Sequence, residues 1–292
     1  MVKVPCQRIT QSFTFMANDQ APSAIAKVKV KRSDSDSNST DQVVVEEPLE
    51  IRIKRGETES QLGITMRTPG ADLQLAAGFL WGEGFLTEPN QLISVKVCGD
   101  RSLTPRQRAN VVIAEVTVDA PDFSRQLDRR FTINSACGVC GSENISDLHK
   151  RGIKPVNPTT KNDDALAKYT QLLDKNQAIF SKTGGLHAAL LIDPTGNLRY
   201  AKEDVGRHNA VDKVIGQALM DGQLPLSDWT MVVSGRTGYE IVQKCVTAGV
   251  SAMVGVSAPT SLAIELADEF GLTLIAFARG GVGKRFIKPV LQ

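Results

Sequence analysis

Residues 230–281 read TMVVSGRTGYEIVQKCVTAGVSAMVGVSAPTSLAIELADEFGLTLIAFARGG, and this stretch decides the fold class. Three short apolar runs, Thr230 to Ser234, Ala252 to Val256 and Thr273 to Ala278, are each bounded by glycine, serine or proline, as buried strands are. Between them, Tyr239 to Ala248 and Ser261 to Phe270 place their apolar residues at helical spacing. Strand alternating with helix predicts a layered α/β domain with parallel strands and right-handed crossovers. Ligands of such sheets bind outside the carboxyl ends of the strands. Three loops hold that position: Ser234-Gly235-Arg236-Thr237-Gly238, Ser257-Ala258-Pro259-Thr260 and Arg279-Gly280-Gly281-Val282-Gly283. Glycine lets a backbone approach a ligand, helix starts attract anions, and Arg236 or Arg279 can fork onto a phosphate. A nucleotide-like or phosphate-bearing ligand fits that composition. Gly280-Gly281-Val282-Gly283-Lys284 is not a Walker motif, which would need glycine at Ala278 and Ser or Thr at Arg285.

Working back toward the N-terminus, a helix is expected from about His208 to Met220. Asp193-Pro194-Thr195-Gly196-Asn197 separates His187–Ile192 from Leu198–Ala201 as a hairpin turn would. Asp163 to Phe180 reads as one amphipathic helix, striped by Leu166, Tyr169, Leu172, Leu173 and Ile179. Earlier, Leu49, Ile51 and Ile53 alternate with charges as in a half-buried strand, with a second strand near Leu62 to Met66. A helix is expected from Asp72 to Phe85, and a further β-rich run from Ala109 to Val118. The chain is therefore divided into a tail over 1–41, an α+β N-terminal domain over 42–134, a loop over 135–160, and an α/β domain over 161–292. The tail is expected to lack order, because Ser33 to Asp41 is small and polar with nothing to bury.

The 292 residues include 34 Lys and Arg against 32 Asp and Glu, a formal charge of +2. That balance argues against a nucleic-acid binder, which would carry a basic stripe. No apolar run approaches the length that spans a bilayer, and Met1 to Ala24 has no signal-like core, so a cytoplasmic protein without a membrane partner is expected. The five cysteines are odd in number and scattered, unlike a secreted disulfide framework.

Two of those cysteines stand in Ser135-Ala136-Cys137-Gly138-Val139-Cys140-Gly141. Such a pair holds a metal, cycles through a disulfide or carries sulfur, and in each case the thiolate reacts. Structural zinc needs four ligands, yet the other cysteines and three histidines form no second pair. A dithiol oxidoreductase wants its pair where a strand meets a helix, and the glycines here argue for a loop. Zinc, dithiol and sulfur-carrying chemistry all remain open on the residues alone. In Glu203-Asp204-Val205-Gly206-Arg207-His208-Asn209, Asp204 can cap the helix or orient Arg207, and His208 reads equally as a ligand or acid–base group and as a solvated residue. His187 reads as a core histidine more than a catalytic one, and Cys98 and Cys245 as packing residues.

Taken together, Glu46-Glu47-Pro48-Leu49, Thr68-Pro69-Gly70 before an Ala-Gly-Phe-Leu helix, Ser135 to Gly141, Thr183 to His187, Glu203 to Asp212 and Ser234 to Tyr239 resemble the formate dehydrogenase accessory sulfurtransferase family, FdhD, over about residues 43 to 287. The resemblance implies a protein that takes persulfide sulfur from a cysteine desulfurase and passes it to a molybdenum bis(guanine dinucleotide) cofactor, bound as substrate, before its insertion into formate dehydrogenase. It makes Cys137 the persulfide carrier and Cys140 its assistant. It places the cofactor site on Phe277, Ala278, Arg279, Gly280, Gly281 and Val282, to which Ser234, Arg236 and His208 are added here as second contacts. It implies a homodimer, and a cytidine-deaminase-like C-terminal domain. The chain departs from the deaminases themselves: Ala188 and Ala189 follow His187 where His-x-Glu would stand, and the cysteine pair precedes that histidine. The competing function is a non-catalytic chaperone that holds the cofactor while the cysteines shield it.

Overall fold

The computed structural model describes residues 23–34, 38–121, 131–133 and 145–287. The chain begins with β1 (Ile25–Lys31) and β2 (Asn38–Val44), an antiparallel pair that forms a sheet of its own. This corrects the expectation of a tail without order up to residue 41. Ala26, Val28 and Val30 alternate with Lys27, Lys29 and Lys31, and that alternation supplies the partner on which the polar β2 lies.

The next elements are β3 (Glu47–Arg55), β4 (Thr58–Arg67), α1 (Asp72–Gly82), β5 (Leu92–Val97), α2 (Pro105–Ala109), β6 (Val111–Val116) and β7 (Phe131–Ile133). The five strands make one mixed sheet in the order β5-β6-β3-β4-β7. Leu49, Ile51 and Ile53 are fully buried on β3, as their alternation with charges predicts. Short helices follow: α3 (Ile145–Lys150), α4 (Asp163–Lys168), α5 (Gln171–Lys175) and α6 (Phe180–Thr183). The single helix expected over 163–180 is thus broken into pieces. Asn162 caps α4 through its side chain, the Thr170 hydroxyl donates back to the Ala167 carbonyl, and α5 stops at Asn176, whose amide donates to Leu172. Both polar groups draw the backbone out of the helix while Leu166 and Leu173 stay buried.

The last third holds β8 (His187–Ile192), β9 (Leu198–Asp204), α7 (Arg207–Met220), β10 (Thr230–Val233), α8 (Tyr239–Thr247), β11 (Ala252–Gly255), α9 (Ser261–Glu269), β12 (Thr273–Arg279) and β13 (Val282–Phe286). Its sheet runs β13-β12-β11-β10-β8-β9, with β10, β11 and β12 parallel, as the alternation of strand and helix predicts. Successive residues of these strands face opposite layers. Met231, Val233, Met253 and Leu274 pack with α7, α8 and α9, whereas Val232, Val254 and Ile275 pack beneath Leu166 and Leu173 of α4 and α5. Strands covered on both faces read as unbroken apolar runs, which is why these three stand out in the sequence.

The two sheets, one in each of the halves expected at 42–134 and 161–292, share a single apolar core that extends from Leu49 and Ile51 to Met253 and Leu274. Helix α1 crosses α7 with backbone against backbone. A Cβ on Gly78 would lie 2.6 Å from the Asp212 carbonyl carbon, and one on Gly216 would lie 2.6 Å from the Gly78 nitrogen. Buried charges reinforce the crossing. Lys213 on α7 sits 2.6 Å from Asp204 and donates to the Thr68 carbonyl, while Asp204 accepts from the Thr68 and Gly206 amides and the Asn209 side chain. The helix is not capped by a side chain: its N-cap is Gly206, whose amide Asp204 holds from outside the helix, and the charged partner of Asp204 is Lys213 and not Arg207. A second cluster places Lys244 of α8 at 2.9 Å from both Glu83 and Asp212.

Candidate functional site

Strand direction assembles the site. Because β8 runs antiparallel to β10, the start of β8 lies beside the carboxyl ends of the three parallel strands. His187 opens β8, Ser234 follows β10, Val256 follows β11, and Ala278 and Arg279 end β12; all five line one cleft of about 690 Å³. The volume lies within the range of small-molecule sites. The opposite wall comes from the broken helical segment, which contributes Gln171, Asp174, Gln177 and Phe180, and from the turn Gly184–Gly185.

Backbone hydrogen bonds bind the loops into one rim. The Thr237 amide donates to Ala258, the Thr260 amide to Thr237, and the Phe277 amide to Ser257. Ser234 is fixed as well: its amide donates to the Ala188 carbonyl and its hydroxyl oxygen accepts from the Ala188 amide at 2.9 Å, leaving the hydroxyl proton to donate elsewhere.

The glycines after Arg279 do something other than open a helix. Arg279 pairs with Val282 across Gly280 and Gly281, whose φ values are +59° and +84°, so the segment is a two-residue hairpin into β13. Both positions need glycine for that conformation, and a Cβ on Gly281 would also press on Gln171 and Lys168 at 3.2 Å. The helix-start amides expected to meet an anion are therefore absent behind this loop; the cation it presents to the cleft is Arg279, exposed and without a side-chain partner among the described residues. Just before it, a bulge between Ala276 and Arg279 leaves Phe277 at φ +53° and 46 % exposed. A non-glycine residue in that region costs about 1–3 kcal/mol, and such strain gathers at functional sites. The Phe277 ring stands 6.1 Å from Phe286 with the Lys284 ammonium over its face.

Of the residues singled out from sequence, Ser234, Ala278, Arg279 and Gly280 line the cleft, and Gly281 and Val282 follow them in the hairpin. Arg236 is exposed on the β10–α8 loop, outside the cleft lining. His208 is not in the cleft either. It is buried on α7 with Nε2 3.9 Å from Glu240, and the neighbouring His208 side chain, with the Arg207 charge adding to it, holds the Glu240 carboxyl down at about 2. The histidine of the cleft is His187, which sequence reasoning took for core. Its signal was the Gly184–Gly185 turn, which brings the chain across the sheet ends before β8 starts. Asp174, Gln177 and Phe180 were masked in the sequence by the apolar stripe around them.

Cys137 and Cys140 lie outside the described residues. Cys98 and Cys245 are buried and free, and burial pushes the Cys245 thiol well up, so it is inert packing. Among the described residues no group of three His, Cys, Asp or Glu is arranged to hold a metal ion, and no helix is long and apolar enough to cross a membrane.

A family model described as the FdhD/NarQ family matches residues 44–288, most of the chain. The chain belongs to the FdhD/NarQ family. It is 43 % identical over 249 residues to a sulfur carrier protein FdhD of Streptomyces avermitilis, covering 84 % of this chain and 86 % of that one. It is 42 % identical over 258 residues to the protein of that name from Sulfurisphaera tokodaii, with 88 % and 94 % covered. In three dimensions it is similar to a crystal structure assigned as a formate dehydrogenase accessory protein of Desulfotalea psychrophila, with a TM-score of 0.68 and 22 % identity, covering 92 % of this chain and 98 % of that one. The family match begins at residue 44, so β1 and nearly all of β2 precede it.

Proposed function

We propose that this FdhD/NarQ protein carries sulfur as a persulfide on Cys137 and delivers it to a molybdenum bis(guanine dinucleotide) cofactor, its substrate, held at the cleft. The donor in this reading is a cysteine desulfurase, and the client that receives the matured cofactor is formate dehydrogenase. The observation that carries the reading is the family match over residues 44–288, with relatives named sulfur carriers. Support from the site is chemical. Arg279 offers a free guanidinium for a diphosphate, and a cleft of about 690 Å³ accommodates a nucleotide end. Two nucleotide ends on one cofactor suit a two-fold homodimer in the cytoplasm. The α4–α5 layer, the six-stranded sheet and the α7–α9 layer are read as cytidine-deaminase-like layering.

The chemistry is thiol exchange. The Cys137 thiolate attacks the outer sulfur of the donor's persulfide, the new S–S bond forms as the old one breaks, and the donor cysteine leaves as thiolate. Cys140 then assists release by relay or by attack on the Cys137 sulfur; the attack forms a Cys137–Cys140 disulfide as the persulfide S–S bond breaks and the outer sulfur leaves as hydrosulfide, and a thiol reductant then reopens the disulfide.

Intact-protein and peptide mass spectrometry after incubation with a desulfurase and cysteine is expected to show reductant-labile added sulfur on the Cys137 peptide, absent in Cys137→Ala. Unaltered maturation of the client by Cys137→Ala would favour the chaperone reading instead. For the ligand, Arg279→Ala is expected to weaken binding of guanosine diphosphate about tenfold or more, the scale of a lost charge-assisted contact, without shifting the melting temperature. Equal affinity in calorimetry would remove the diphosphate from this end of the cleft.

A further inference from the structure

All three histidines of the chain fall within the described residues, and two have structural occupations. His149 lies 3.0 Å from Glu269 and stacks on Phe270; His208 is buried against Glu240. His187 has neither. It is half-buried in the cleft wall beside Ser234, and neither ring nitrogen has a hydrogen-bond partner among the described residues. The flat backbone of Gly235 covers part of the ring, since a Cβ there would stand 3.3 Å from Nδ1 and 3.6 Å from Arg207 Cβ. The remaining part faces the cavity. An imidazole always presents two polar nitrogens, and one that a ligand would strip of water without replacing its hydrogen bonds is a liability for binding. The pairing is therefore expected to come from the ligand.

We propose that His187 is a ligand-contacting residue of the cleft, hydrogen-bonded to the anionic end of the phosphate-bearing molecule that Arg279 holds. This rests on the reading of the cleft as a nucleotide site. It gives the site a second recognition group on β8, on the strand side opposite Arg279 of β12, and leaves Asp174 of α5 as the one carboxylate lining the cleft among the described residues.

The charges around the ring then determine how binding responds to pH. Burial lowers the His187 pKa, Arg207 and His208 from α7 lower it further, and only Asp204, its register partner on β9, raises it. Across the cleft stand Arg279 and Asp174. The free ring is thus neutral at pH 7, ready to accept or donate one bond. A bound phosphate favours the protonated ring, so binding draws in a proton and affinity rises as pH falls toward the ring's pKa, by at most about tenfold per pH unit. The phosphate's own protonation near pH 6 acts on all variants alike and drops out of a comparison between proteins.

The test is calorimetric titration of the full chain with guanosine diphosphate between pH 6 and 8, in buffers of different ionisation heat so that proton uptake is read directly. The parent is expected to take up protons and bind more tightly at pH 6. His187→Gln is expected to lose the uptake and bind about tenfold more weakly at pH 6, with the two proteins converging toward pH 8. If His187→Gln retains the parent's proton uptake and stays within twofold at every pH, the inference falls while the cleft reading stands. If the parent itself binds no guanosine diphosphate at any pH, the nucleotide reading falls and takes this inference with it. Should the variant melt early, NMR titration of the three imidazoles in the parent decides: a His187 pKa raised by the nucleotide supports the contact, and an unmoved one overturns it.

Discussion

Gly78→Ala and Gly216→Ala are each expected to destabilise the protein by about 3 kcal/mol or more, although both place the best helix former in a helix interior. Propensity alone would favour the change by about 1 kcal/mol. The crossing of α1 and α7 reverses that sign. The new methyl would meet the Asp212 carbonyl in one case and the Gln74 carbonyl and Gly78 amide in the other. These are backbone atoms, which cannot rotate aside as a side-chain tip can, so the helices must separate and the apolar contacts along the whole crossing loosen. Gly99→Ala is the matched control, because a Cβ there meets nothing within 4 Å, and it should stay within about 0.5 kcal/mol of the parent. Denaturant unfolding of the three variants reads the difference. Equal midpoints for all would mean the helices do not touch as described.

Lys213→Met is expected to cost about 3–5 kcal/mol, the usual penalty for leaving a buried charge without its counter-ion. Asp204 is completely buried and Lys213 nearly so. The methionine fills similar volume, so the loss isolates the charge and not a cavity. The carboxylate would keep its bonds from Thr68, Gly206 and Asn209, which hold it in place but cannot cancel a full charge. Adding Asp204→Asn to Lys213→Met should recover part of the loss, because the amide is neutral and still accepts from Gly206 or Asn209. A double variant no more stable than the single would show that the penalty comes from packing. Total stabilities of about 5–15 kcal/mol make either variant prone to poor yield on expression, so melting should be measured on the fraction that folds.

The Lys213 example shows why part of this molecule could be read from sequence and part could not. The strands β10, β11 and β12 and the helices between them emerge within a residue or two because unbroken apolar runs bounded by glycine and serine have few other readings. Ser234 and Arg279 follow at once, since the ends of parallel strands are where a cleft must form. The pairing of Asp204 with Lys213 depends on how α7 rotates against β9, which no local pattern encodes, so the adjacent Arg207 was the natural but mistaken partner. Likewise, the apolar stripe from Leu166 to Ile179 carries a helical period through Thr170 and Asn176, where hydrogen bonds interrupt the helix, so the wall of the cleft was hidden inside an expected straight rod. Strand β13 was missed because its lead-in, Gly280–Gly281, reads as a ligand-binding loop until Val282 is seen to fold back on Arg279. Two of the stretches that carried the family resemblance meet in these joints: Thr68 touches Asp204 and Lys213, and Asn209 bridges to Met66.

The apolar core that runs without a break from β3 to β12 has a consequence for how the cleft is reached. Proteins that open and shut around a ligand usually do so along a wet seam between two lobes, and here the seam is filled with packed side chains and pinned by glycine contacts. The halves cannot swing apart without unfolding, so access to the cleft is set at its mouth, by the side chains that line it, while the two sheets keep their places.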